Sequence, residues 1–287
     1  MHRPKIKVQS RQELIDLIEA TLAQEGIEAD LNFIDVGELK SLEGVFSGIP
    51  FQGDISQWDV SQVESMEEMF YNSPFNGDIS SWDVSKVKNM RRMFFSSSFN
   101  RDISQWDVSQ VQDMSFLFGD SKFNQPIGSW WVSSVKSMRE MFTQSEFNQP
   151  INDWNVSQVK DMVAMFRLSY FNQLLDRWDV SNVETMSGMF ANSYFNQDLG
   201  AWNVSKVADM SNLFYNSPFD QDISQWDRYS VESDVNMFCR SGIAKKLGVD
   251  SPSFEQVKAF WLEKRLHQNW GDPPLEATEE TVRKWRL

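Results

Sequence analysis

The chain has 287 residues, 41% of them hydrophobic, with a net charge of −14 and a single cysteine. That is enough apolar material for a substantial core, but no stretch approaches the ~20 apolar residues of a membrane-spanning helix. One cysteine, Cys239, excludes an internal disulfide framework and fits a reducing compartment.

From the N-terminus, Met1–Ser10 carries charge without an apolar stretch behind it, so no secretory leader is expected. A cytoplasmic location is the expectation, with leaderless export as the alternative. Ser10-Arg-Gln-Glu13 has the form of a capping box. Leu14, Leu17, Ile18 and Leu22 follow on one helical face, and Gly26 supplies a stop. This predicts a helix at about 10–25 inside an N-terminal cap spanning 1–33.

From residue 34 onward the chain repeats. Tryptophans at 58, 82, 106, 130, 154, 178, 202 and 226 recur every 24 residues. Counted from each phenylalanine, eight units run without insertion from 51–74 to 219–242. A half unit comes first, with Ile34, Asp35, Val36, Leu39, Leu42 and Phe46 in register. A fixed period of this length is the mark of a solenoid. Within a unit, Asp78–Val84 holds β-branched and aromatic residues and predicts a short strand. Val87, Met90, Met93 and Phe94 then step by three and one, which predicts a short helix with Ser85 as its N-cap.

The expected inward set is Phe75, Ile79, Trp82, Val84, Val87, Met90, Met93 and Phe94, repeated in each coil. Asparagines at 76, 100, 124, 148, 172 and 196 are expected to satisfy turn backbone, and an unbroken serine row from 73 to 241 to bond helix-end carbonyls. The tryptophans are read as core. The fold class expected is an α/β repeat with eight strand-plus-short-helix coils over 34–242 and helical caps at both ends.

At the C-terminal end, residues 243–287 form the second expected cap. Ser251-Pro252 opens a helix carrying Phe254, Val257, Trp261 and Leu266, and a last short helix begins near Thr278 with Val282 and Trp285. Lys264, Arg265, Lys284 and Arg286 make this segment basic, and docking through it is the weaker alternative to capping.

The repeat Phe-Asn-x-Asp-Ile-Ser-x-Trp-Asp-Val-Ser-x-Val-x-x-Met-x-x-Met-Phe resembles that of the BspA-like leucine-rich-repeat family, also described as a bacterial protein family of unknown function. The resemblance covers 34–242. It implies a right-handed solenoid of the leucine-rich-repeat type and a role in binding or adhesion rather than catalysis. Many relatives of that kind are exported surface proteins, and the lack of a leader here makes adhesion the less expected of the two. No catalytic residue carries over.

Little enzyme chemistry is visible. The two histidines, His2 and His267, lie at opposite ends, and there is no phosphate-binding glycine loop and no Cys-x-x-Cys. No catalytic residue, cofactor or metal is expected. Two aspartate rows, one with Asp59, Asp83, Asp107, Asp179 and Asp227, the other with Asp54, Asp78, Asp102, Asp198 and Asp222, are read as turn caps, with calcium as the alternative. Residues 31–242 hold 28 acidic against 15 basic side chains, which disfavours nucleic acid.

The expected function is a non-enzymatic protein-interaction scaffold, acting as a monomer on a protein partner of basic character. The alternative is an acidic inhibitor or immunity-type decoy covering a basic site on a toxin or nucleic-acid-binding protein. Candidate partner-binding residues are Tyr71, Phe95, Phe116, Trp131, Tyr170, Tyr194 and Tyr215, expected mostly near helix ends on one side of the array, together with Asp59, Asp83 and Asp107.

Overall fold

The structure, a computed structural model, describes residues 3–270. A short strand β1 (Ile6–Lys7) precedes helix α1 (Arg11–Glu25) and pairs in parallel with β2 (Ile34–Asp35). Eight coils of turns follow, and the chain closes with helices α2 (Gly242–Leu247) and α3 (Phe254–Trp270). The array is a repeat solenoid whose coils share one continuous core. All eight expected inward positions of the unit at 75–98 are buried.

Between β2 and α2 the predicted strand and helix of each unit are both absent. The segment Asp78–Val84 is turn and irregular backbone. Inter-coil pairing occurs further along, at single parallel bridges such as Ser65↔Asn89 and Asn89↔Asp113. The predicted helix fails for a local reason. Arg92 and Ser96 have φ of 54° and 52°, and a left-handed residue cannot continue a right-handed helix. The amides of Met90, Arg92, Phe94 and Ser96 donate instead to Asp113, Ser115, Leu117 and Gly119 of the next coil, at 2.9–3.0 Å. The amides between them close four-residue turns within the coil: Met93 to Met90, Phe95 to Arg92 and Ser97 to Phe94. The Arg91 amide donates to Asn89 Oδ1 at 2.9 Å, so every amide from 90 to 97 has an acceptor without a helix. Ser85 is no N-cap, since there is no helix to cap; its own amide donates to Asp83 Oδ1 at 3.0 Å.

Side chains tie the coils together in register. Each repeat tryptophan donates its indole N–H to a carbonyl in the preceding coil, from Trp58 to Leu31 O through Trp226 to Leu199 O. The indoles are therefore buried and satisfied at once. Phenylalanines form a second column in which Phe70, Phe94, Phe118, Phe142, Phe166, Phe190 and Phe214 stack at 5.5–5.9 Å. The asparagine row forms a ladder, with Asn76 Oδ1 accepting from the Asn100 amide and so on to Asp220. The serine row accepts from the phenylalanine amide two residues on, and Ser121, Ser169, Ser193 and Ser217 also donate to a carbonyl three residues back.

At the N-terminal end, α1 begins with Ser10 Oγ accepting from the Glu13 amide and ends at Gly26, whose φ is 89°. Leu14 and Ile18 enter the common core, and the Arg11 guanidinium bonds the Glu43 carbonyl at the first edge of the stack. At the other end, Ile243, Ala244, Phe254 and Val257 are buried. The helix α3 starts at Phe254, later than Ser251-Pro252 suggested, because the capping box lies at Ser253 and Gln256. Leu266 faces solvent, where the sequence placed it with the buried face. The expected helix near Thr278, with Val282, Trp285, Lys284 and Arg286, lies outside the described residues, as does His2.

Candidate functional site

The expected aromatic surface is not one patch. The seven rings sit at four different places in the coil, and face-to-face stacks among them form where the same place is aromatic in adjacent coils. Tyr71 and Phe95 stack at 5.7 Å, Phe116 packs edge-on against Phe95 at 6.0 Å, and the Arg92 guanidinium lies 4.9 Å from the Phe116 ring. All three rings are half-buried against one another, and Tyr215 is half-buried as well. Placement near helix ends fails as well, because the coils contain no helices.

Tyr170 and Tyr194 are different. They stack face to face at 5.3 Å with 13° between ring planes, yet are 58% and 61% exposed. The same place in other coils holds Pro74, Ser98, Lys122, Glu146 and Pro218, so the fold does not require a ring there. Leu168, in the same turn, is also exposed. Trp131 stands apart, 76% exposed, at the position that holds aspartate or asparagine in the other coils.

Both aspartate rows are turn caps. Asp59, Asp83, Asp107, Asp179 and Asp227 each accept, through Oδ1, the amide two residues on, and Asn155 and Asn203 do the same. Asp54, Asp78, Asp102, Asp198 and Asp222 repeat the arrangement five residues earlier. Only a side-chain oxygen is needed, which is why asparagine substitutes freely. Hydrogen bonds from the Ser85 hydroxyl and then its amide hold the Asp83 carboxyl below its ordinary value, and Ser61 and Ser181 do the same for Asp59 and Asp179. Among the described residues no group of three or more His, Cys, Asp and Glu side chains converges as metal donors. No described helix is long and apolar enough to cross a membrane.

One pair escaped the sequence reading. In the last coil Arg228 and Asp234 occupy the places held elsewhere by an inward valine and methionine, as at Val84 and Met90. They pair with each other, and the Arg228 guanidinium lies 4.2 Å from the Phe254 ring of α3. Two residues six apart with opposite charge at inward positions were the available signal.

Compared with known protein families, the chain matches the one described as "Mycoplasma protein of unknown function, DUF285", over residues 16–120, 74–170, 95–193 and 143–249. The four overlapping matches follow from the repeat. No curated protein and no solved structure matches the chain.

Proposed function

The chain belongs to the DUF285 family, and we propose that it is a non-enzymatic scaffold that binds a protein partner on the outside of the coil stack. Within that reading the repeat is of the BspA-like, leucine-rich-repeat kind with right-handed coils, supported by the motif around each tryptophan. Residues 1–33 and 243–287 act as caps on the array at 34–242, supported by the core residues that α1, α2 and α3 contribute.

The observation that carries the proposal is the Tyr170–Tyr194 pair. Two rings that the core does not need, stacked on each other from neighbouring coils, can bury apolar area and offer hydroxyls to a partner. The repeat's acidic excess supports a partner of basic character and keeps the decoy reading in play. A pull-down from the native host with wild type and with Tyr170→Ala/Tyr194→Ala tests both. The scaffold reading expects the double variant to lose its partner, and undiminished capture would overturn it. Complex formation that is unchanged between low and high ionic strength would remove the decoy.

A further inference from the structure

We propose that Trp131 and Asp107 form a receptor for one cationic side chain, an arginine or lysine on a basic partner segment. This rests on the scaffold reading and names a contact within it. At the Trp131 place every other coil from 51 to 242 carries an aspartate or asparagine whose oxygen caps its own turn. Trp131 gives up that cap and leaves an indole 76% exposed, so neither turn geometry nor core packing accounts for the ring.

Shallow depressions lie on both sides of it. One joins Trp131 to Gln105, Asp107, Ser109 and Ser129, and the other joins it to Asp153 and Asn155. The two carboxylates differ. Asp153 is already paired with Arg177 at 2.7 Å. Asp107 receives the Ser109 amide on Oδ1 at 3.0 Å and forms no ion pair among the described residues. One coil earlier, Lys86 acts on Asp83, but the matching residue here is Gln110.

An exposed indole face beside an unpaired carboxylate is complementary to a guanidinium or ammonium, which can lie over the ring and reach the acid together. Arginine fits better, because its planar group stacks and forks at the same time. The negative field of the repeats brings such a group in. A sugar ring also stacks on indoles, but it would gain nothing from a full charge at Asp107.

The test uses the full chain and a fluorescein-labelled hexa-arginine peptide, read by anisotropy at physiological ionic strength. Trp131→Ala and Asp107→Asn should each weaken binding about fivefold or more, and Trp131→Phe should weaken it less. Asp83→Asn should stay within twofold of wild type. Thermal melts matching wild type would show that the variants remain folded. Equal peptide affinity for wild type and Trp131→Ala would overturn the proposal, and so would displacement of the peptide by neutral maltohexaose. Partner capture lost with Tyr170→Ala/Tyr194→Ala, alongside peptide binding unaltered by Trp131→Ala, would sink this contact and leave the scaffold reading standing.

Discussion

The coil at 147–170 and the last coil at 219–242 share a period but not a rule. In the first, Val156 and Met162 point inward and are buried, and the amides of Met162, Ala164, Phe166 and Leu168 donate to Thr185, Ser187, Met189 and Ala191 of the following coil. In the last, Arg228 and Asp234 hold the matching places as an ion pair. Of the matching amides there, only that of Arg240 finds a backbone acceptor, Asp250 O; those of Asp234, Asn236 and Phe238 have none among the described residues. Tyr229, in a place held by serine elsewhere, is 95% exposed. The lesson is that a coil's apolar demand comes from the coil that follows it. Where none follows, charge is tolerated at inward positions, and Phe254 of α3 covers what remains.

The sharpest way to break this contrast is to move a last-coil residue inward. Met162→Asp should destabilise the chain by about 3–5 kcal/mol, because a carboxylate there would be buried without a partner. The reverse exchange, Arg228→Val/Asp234→Met, should change stability by no more than about 1 kcal/mol, since both charges are partly hydrated and replace each other's contacts. Urea titrations of both variants decide the matter, and a mild Met162→Asp would undo the rule.

A smaller effect concerns the left-handed residues. Leu168 adopts a φ of 58° and is exposed, so Leu168→Gly should stabilise by about 0.5–1 kcal/mol through relief of strain. Asn236, with the same φ of 58° in the last coil, is already tolerant of that region, and Asn236→Gly should gain only a few tenths of a kcal/mol. Melting temperatures compare the two directly. Smallest of all is the acid response of the turn caps. Asp59, Asp83 and Asp179 have carboxyls held below the ordinary value near 3.8, so their contribution is present above that value and is lost as pH falls through the lower folded-state one. Asparagine keeps the accepting oxygen without the charge, as in the coil with Asn155. The triple change of these three to asparagine should therefore flatten the melting profile below about pH 4 while leaving it unaltered at pH 7.

Much of this architecture could be read from residue order, and the reason is repetition. A side chain that recurs at one place in eight units must find the same surroundings eight times, so the inward set and the oxygen-bearing turn positions were visible at once. The backbone was not. Steps of three and one at Val87, Met90, Met93 and Phe94 suit a helix and a pair of tight turns equally well. What separates them is a left-handed residue at a place holding Glu68, Arg92, Phe116, Glu140 and Ala164, side chains that do not advertise that conformation. Only Gly44, Gly188, Asn212 and Asn236 at the same place hint at it. The candidate partner residues are legible as residue types, but spacing alone does not say which of their four places in the coil meet: Phe116 reaches Phe95, while Tyr170 and Tyr194 stack on each other.

The indoles of Trp154, Trp178, Trp202 and Trp226 lie 6.4–6.5 Å apart with 3–5° between their planes. Four parallel chromophores this close share their electronic excitations, so the second half of the molecule carries an optical gauge of its own alignment. Any slippage between neighbouring turns would detune that shared signal before the chain had come apart.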